Sequence, residues 1–222
     1  QTVSLSRSGT PMRYSRDASS VEVGSGAGGA VLAREAAAGG LSVILLEEGG
    51  SYGPADHDGR VVEAFQRYYR DGGVTGAVGR PGFPIPLGKV VGGTTLVNSG
   101  TCFRTPAPVL DRWVADLDAP DIGPEAMAPR FDRVWRYLGI GPSPMSVLGR
   151  SAQIIARGAE ALGLSHRPLD RNAPGCEGSG QCCFGCPTGA KGSMDRTYIP
   201  DGIAHGVSVV AHARVDGVLT RG

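Results

Sequence analysis

The sequence predicts an α/β fold built on a parallel sheet. Three observations carry that prediction: a glycine-rich turn between a short apolar run and a helical pattern, a second apolar run that ends in an acid, and a third short apolar run near residue 210. The turn is Gly24-Ser25-Gly26-Ala27-Gly28-Gly29. Gly24 permits a tight exit from the first strand, Gly26 lets the backbone approach a diphosphate, and Gly29 lets helix and strand pack closely. Phosphates would then meet the N-terminus of a helix, where unpaired N–H groups and the macrodipole favour negative charge. Glu22 stands in the first strand, where a buried central strand is apolar throughout, so it must reach an edge or a partner.

The next elements follow from spacing. Val31, Leu32, Ala33, Ala36, Ala37 and Leu41 keep one apolar face at helical period, and Gly39-Gly40 stops the helix. Ser42 to Glu47 reads as a buried parallel strand, and Glu47, eighteen residues after Gly29, is placed to accept hydrogen bonds from a ribose hydroxyl. A glycine-rich turn without ligand is the bland alternative; strand, helix, second strand and terminal acid in sequence argue against it. Val61, Val62, Phe65, Tyr68 and Tyr69 predict a short helix ended by Asp71-Gly72-Gly73. Residues 72–108 are too rich in Gly and Pro for a long regular element, and loops of that length are usually functional. Helices follow over 109–118, 124–138 and about 149–162, with Trp113, Phe131 and Trp135 expected in the core. Val207 to Ala211 is a further buried strand, expected to join the nucleotide-binding sheet after the chain has made an excursion over the ligand.

Composition bounds the partners. The chain has 222 residues, 41% of them hydrophobic, enough for a real core. Lys and Arg number 22 against 21 Asp and Glu, a formal charge of +1, which gives no electrostatic reason to bind nucleic acid or an anionic membrane. No apolar stretch has the length of a transmembrane segment, and the default reading is a soluble, cytoplasmic protein. Residues 1–18, rich in Ser and Arg, read as a poorly ordered arm.

The segments VGSGAGGAVLAREAA, VILLEEGG, GKVVGGTTLVNSGTCFRTP and CCFGCPTGAK together resemble the glucose/methanol/choline (GMC) family of flavin oxidoreductases, in its bacterial, long-chain-alcohol-oxidase-like branch. The second glycine loop makes the resemblance specific, because nicotinamide-dependent dehydrogenases share the first glycines but not GGTTxxNxG. The resemblance implies a Rossmann-like FAD-binding fold over 19–222, with a long irregular FAD-covering loop and a helical, Cys-rich insertion at about 109–200. It implies FAD, with Gly24, Gly26 and Gly29 at the pyrophosphate, Ser25 and Gly28 in the same cradle, and Glu47 at the adenosine ribose. Gly92, Gly93, Thr94, Asn98 and Gly100 would line the flavin side, and Val215 would lie near adenine. The implied activity is that of an FAD-dependent alcohol oxidase or dehydrogenase, passing hydride from a CH–OH group to the flavin and electrons on to oxygen or a redox partner.

Members of that family carry a catalytic His far downstream, and none of His57, His166, His205 or His212 lies in a resembling stretch. No catalytic residue is therefore assigned. The chain reads as the N-terminal portion of such an enzyme, without the C-terminal substrate part. It is expected to leave apolar surface exposed, to bind FAD weakly and to oxidise no alcohol alone.

Four of the five cysteines fall as Cys176-x5-Cys182-Cys183-x2-Cys186-Pro187. An iron–sulfur cluster needs thiolates converging on one point, which such a loop offers; a four-thiolate zinc site is a second reading, and structural thiols or disulfides a third. A cluster would make the chain an iron–sulfur and flavin electron-transfer module. Cys102 reads as a small packing residue.

Overall fold

The computed structural model describes residues 3–7, 10–14 and 18–218. In chain order the elements are β1 (Val3–Arg7), β2 (Thr10–Tyr14), β3 (Ser20–Val23), α1 (Ala27–Ala38), β4 (Val43–Leu46), α2 (Val61–Tyr68), β5 (Gly76–Ala77), β6 (Phe83–Pro84), α3 (Thr94–Val97), α4 (Ala107–Leu117), α5 (Pro124–Tyr137), β7 (Gly141–Pro142), α6 (Arg150–Ala161), β8 (Asp170–Arg171), α7 (Tyr198–Ala204), β9 (Ser208–Val210) and β10 (Arg214–Val218). They divide between two units, residues 1–99 with 179–222, and residues 100–178.

The first unit is organised by a parallel sheet of order β3-β4-β9. A parallel pair needs a crossover, and α1 supplies it between β3 and β4. All four residues of β4 are buried because both its neighbours are strands and α1 covers it. Each such Val, Ile or Leu stabilises the fold by roughly 1.5–3 kcal/mol relative to exposure. β3 is an edge strand, which resolves Glu22: Ser20 Oγ donates to its carboxylate at 2.7 Å. Helix α1 turns Ala30, Ala33 and Ala37 inward, and these small side chains let it lie close to the sheet. Gly29 sits at the tightest point, where an added Cβ would fall 1.9 Å from the Gly24 carbonyl oxygen. On its outer side α1 is tied to α7 by Arg34 Nε and Asp201 Oδ2 at 2.8 Å.

Beyond Leu46 the backbone keeps pairing. Glu47 N–H donates to Val210 O, Ala213 N–H to Glu47 O, and Val91 N–H to Gly50 O, so residues 47–50 lie between 210–213 and 90–91. A second, antiparallel sheet has the order β10-β1-β2. The arm expected over 1–18 thus includes two strands, because β10 offers a backbone edge whose pairing does not depend on apolar composition; positions 1, 2, 8, 9 and 15–17 lie outside the described residues. The aromatic part of the core gathers Ala64, Tyr68, Tyr69, Val90, Leu96 and Val97, with Phe65 and Phe184 packed against it.

In the second unit, residues 100–102 pair with 170–172, and β7 pairs with β8. Leu110 is buried on α4, while α5 and α6 contain no buried residue. The aromatics expected in the core are not there: Trp113 is 44% exposed, and Trp135 carries the Arg104 guanidinium 5.0 Å from its ring centre. Ile154, Ile155 and Leu162 are half or more exposed.

Candidate functional site

Where β3 ends and α1 begins, the first unit opens into a cleft of about 670 Å³. That is within the ~300–1,000 Å³ range of small-molecule and cofactor sites. Gly24, Gly26, Glu47, Gly93, Thr94 and Val215 all line it, so residues nearly two hundred positions apart in sequence face one space. The C-terminal ends of β4 and β9 carry Glu47 and, through the turn at 211–213, Val215 to that rim, the position where parallel α/β sheets receive ligands. The other residues expected at the site stand behind it or elsewhere. Ser25 is fully buried, Gly28 is in the first turn of α1, and Gly29 packs on Gly24; Gly92 and Asn98 do not line the cleft, and Gly100 belongs to the second unit.

The cradle fits a phosphate. Gly24, with φ of +90°, makes the turn, and a Cβ at Gly24, Gly26 or Gly28 would meet nothing within 4 Å. Side chains at Gly24 or Gly26 would take up open space at the cleft rather than collide with protein. Gly26 caps α1 without a side-chain hydrogen bond, and the first turn of the helix has no acidic residue, so its amides and positive end are available to an anion.

One buried hydroxyl joins both glycine loops to the acid. Ser25 Oγ donates to Glu47 Oε2 at 2.6 Å and accepts the Gly92 N–H at 2.9 Å; Ser25 N–H donates to the same carboxylate oxygen at 2.9 Å, and Gly49 N–H donates to Oε1 at 2.9 Å. The Glu47 side chain is thereby fixed in position, with lone pairs left for further donors. The loops also meet directly: a Cβ on Gly93 would fall 2.8 Å from Gly26 Cα, and one on Gly88 would fall 2.5 Å from the Gly93 carbonyl.

Behind the second loop lies a group that motif reading missed. Lys191 is 1% exposed, and its ammonium donates to the carbonyls of Leu96 (2.6 Å), Asn98 (2.7 Å) and Cys182 (2.7 Å). Burial lowers its pKa to about 8. Three donors meeting three carbonyls fix the exit of the glycine loop to the cysteine loop. Tyr69 adds a second tie, its hydroxyl donating to the Cys183 carbonyl at 2.6 Å, with burial pushing that phenol up to about 12.

The cysteine loop is therefore held by its carbonyls, not by its sulfurs. All five cysteines are free thiols, and among the described residues no three His, Cys, Asp or Glu side chains are grouped to hold a metal ion. The ligand set expected at Cys176, Cys182, Cys183 and Cys186 is not assembled. Cys182 and Cys183 are consecutive in a 3₁₀ turn, which sends neighbouring side chains about 120° apart. Cys176 lies in the second unit, lining a separate pocket of about 190 Å³ with Ser143 and Arg171. Burial raises the Cys102 thiol, as suits a packing residue. At Cys186 burial pushes the thiol up, but hydrogen bonds from Thr188 and the amides of Lys191, Thr188 and Ala190 hold it below its ordinary value.

None of the four histidines lines the cleft. His57 is buried, its Nδ1 3.1 Å from the Tyr68 hydroxyl, and burial lowers its pKa against the opposing pull of Asp195 and Asp56. His166 lies 3.4 Å from Glu160, His205 Nδ1 lies 2.8 Å from the Asp201 carbonyl, and His212 occupies a left-handed turn. Glu48, Arg70, Asp71, Gly88 and Arg214 also line the cleft, although none was expected as a site residue.

Residues 65–222 match the family described as GMC oxidoreductase. The chain is 40% identical over 205 residues to an uncharacterized GMC-type oxidoreductase of Mycobacterium tuberculosis, covering 92% of this chain and 33% of the relative. It is 31% identical to a long-chain-alcohol oxidase of Arabidopsis thaliana, covering 88% and 26%. Among solved structures it resembles pyridoxine 4-oxidase from Mesorbium loti, with a TM-score of 0.63 and 16% identity over 91% of this chain and 43% of that one. It also resembles a formate oxidase of Aspergillus oryzae, with a TM-score of 0.57 and 12% identity over 86% and 38%. The chain spans about a quarter to two-fifths of the length of the curated relatives it matches.

Proposed function

Because the chain belongs to the GMC oxidoreductase family, we propose that its cleft is an FAD site and that the activity it serves is oxidation of an alcohol. One observation carries the reading: Gly24, Gly26, Glu47, Gly93, Thr94 and Val215, separated in sequence, line one cleft at the sheet's C-terminal rim. Gly24, Gly26 and the amides opening α1 would receive the diphosphate, and Glu47 would accept from the adenosine ribose. Val215 would border adenine; Gly93 and Thr94 would border the flavin half, with Gly92, Asn98 and Gly100 completing that loop.

FAD, when bound, supplies the acceptor for the hydride of a CH–OH group. The chain's own part is to bind and orient. Ser25 holds the Glu47 carboxylate and the Gly92 amide, and Lys191 fixes the carbonyls of Leu96 and Asn98, so both loops are set before a ligand arrives. Pre-set donors and acceptors lower the ordering cost of binding. With no histidine on the cleft, alcohol turnover is not proposed for this chain alone. The name long-chain-alcohol oxidase, borne by four Arabidopsis relatives, supports an alcohol as the substrate class.

Fluorescence titration of the purified chain with FAD, NAD and NADP tests the reading. It predicts one FAD per chain, weaker or absent nicotinamide binding, and no bleaching of bound flavin by primary alcohols. Preferential NAD binding would overturn the FAD assignment, and alcohol-dependent bleaching would overturn the absence of turnover.

A further inference from the structure

We propose that Arg70 is the cation that recognises the ligand's diphosphate, and that Glu48 holds it in place until the ligand arrives. The inference rests on the cleft being a dinucleotide site. The charged groups lining that cleft are Glu47, Glu48, Asp71, Arg70 and Arg214, three acids against two bases. A dianionic diphosphate entering such a space needs a cation in addition to the α1 N-terminus, or the acids repel it. Arg214 is poorly suited: it is mostly exposed, and its Nε pairs with Asp216 at 3.0 Å.

Arg70 is built in. Its N–H donates to Leu87 O at 2.8 Å, Lys89 N–H donates to Tyr68 O at 2.8 Å, and Tyr69 bridges to Gly88, so its backbone is anchored between α2 and the glycine segment that leads into the second loop. Asp71, Gly72 and Gly73 follow with φ of 49°, 61° and 83°, a left-handed turn that carries the chain away immediately after Arg70. Asp71 is the one non-glycine residue in that turn, a conformation L side chains rarely adopt, and the anchors on either side hold it there.

The guanidinium pairs with Glu48 Oε1, its one side-chain partner among the described residues. That carboxylate stands where a phosphate oxygen would bind, since both present an anionic oxygen to the same planar fork. Glu48 directly follows Glu47 at the end of β4, so exchanging one anion for the other leaves Arg70 within the cleft. Of the two anions, the diphosphate carries the larger charge.

The test uses Arg70→Ala, Arg70→Lys and Glu48→Gln in the full chain, titrated calorimetrically with ADP, FAD and adenosine at low and high salt. Arg70→Ala should weaken ADP and FAD by about ten- to hundredfold, as loss of one or two charge-assisted hydrogen bonds does, and flatten the salt dependence while leaving adenosine unchanged. Arg70→Lys should recover part of the loss. Glu48→Gln should tighten ADP by roughly two- to fivefold, because it removes the competing anion. The inference falls if Arg70→Ala leaves ADP affinity unchanged. It falls equally if Glu48→Gln and Arg70→Ala weaken ADP alike, the behaviour of an ion pair that only braces the loop. A wild-type chain that binds adenosine but neither ADP nor FAD would sink the dinucleotide reading itself, and Arg70's role with it.

Discussion

Replacing Ser25 with Ala removes one oxygen from the point where both glycine loops and Glu47 meet. Ser25 is 0% exposed, so no water can substitute for the lost group. Two interactions go with it: the 2.6 Å bond to the Glu47 carboxylate and the 2.9 Å acceptor of the Gly92 N–H. A hydrogen bond to a charged group is worth about 1.5–3 kcal/mol, and an orphaned buried N–H costs about 1–3 kcal/mol more. The expected destabilisation is thus about 2.5–6 kcal/mol. For a chain of this size that corresponds to a fall in Tm of roughly 5–24 °C. Urea and thermal unfolding followed by circular dichroism measure both. Ser19→Ala is the control, since its hydroxyl meets Ser42 at 3.1 Å on an exposed edge and should change stability by less than about 0.5 kcal/mol. A Ser25→Ala chain indistinguishable from the Ser19→Ala chain would refute the claim that this hydroxyl ties the loops together.

Gly29→Ala places a methyl 1.9 Å from the Gly24 carbonyl oxygen; it should cost more than about 4 kcal/mol and abolish FAD binding, read as loss of soluble, cooperatively unfolding chain. Lys191 gives a pH signature. Its pKa falls from 10.5 to about 8 on burial, so the unfolded chain binds the proton more tightly and stability should rise between pH 8 and 10.5. The rise should be about 1–3 kcal/mol in urea midpoints for wild type and absent in Lys191→Met; parallel pH profiles for the two chains would refute the assignment. Cys183→Ser should leave FAD affinity unchanged, and iron and sulfide assays after anaerobic reconstitution should find no cluster in either chain.

The β3–α1–β4 unit was legible because its signals are local: alternating apolar periods of helix and strand, with glycine at each junction. β9 was legible as an apolar run expected to join the sheet, but its place beside β4 is set by tertiary pairing that no local pattern encodes. α7 was not, because Pro200 and Gly202 lie within Tyr198–Ala204 and read as breakers. β10 was hidden by Asp216 and Gly217, residues depleted in strands. Within the site, motif spacing located the glycines and Glu47. It could not reveal that Ser25 bridges two loops 67 residues apart, or that Lys191 is buried under three carbonyls, since both depend on tertiary approach. The cysteine spacing misled for the same reason: clustering in sequence does not make side chains converge.

Gly26 offers the most direct test of the central claim. Its φ of −69° suits any residue, and an added Cβ meets no protein atom within 4 Å, so Gly26→Ala disturbs the fold little while placing a methyl in the diphosphate's path. Calorimetric titration with FAD should find one site per wild-type chain and at least about a thirtyfold weaker one in Gly26→Ala, roughly 2 kcal/mol, with Tm nearly unchanged. Equal FAD affinity in the two chains would contradict the placement of FAD in this cleft.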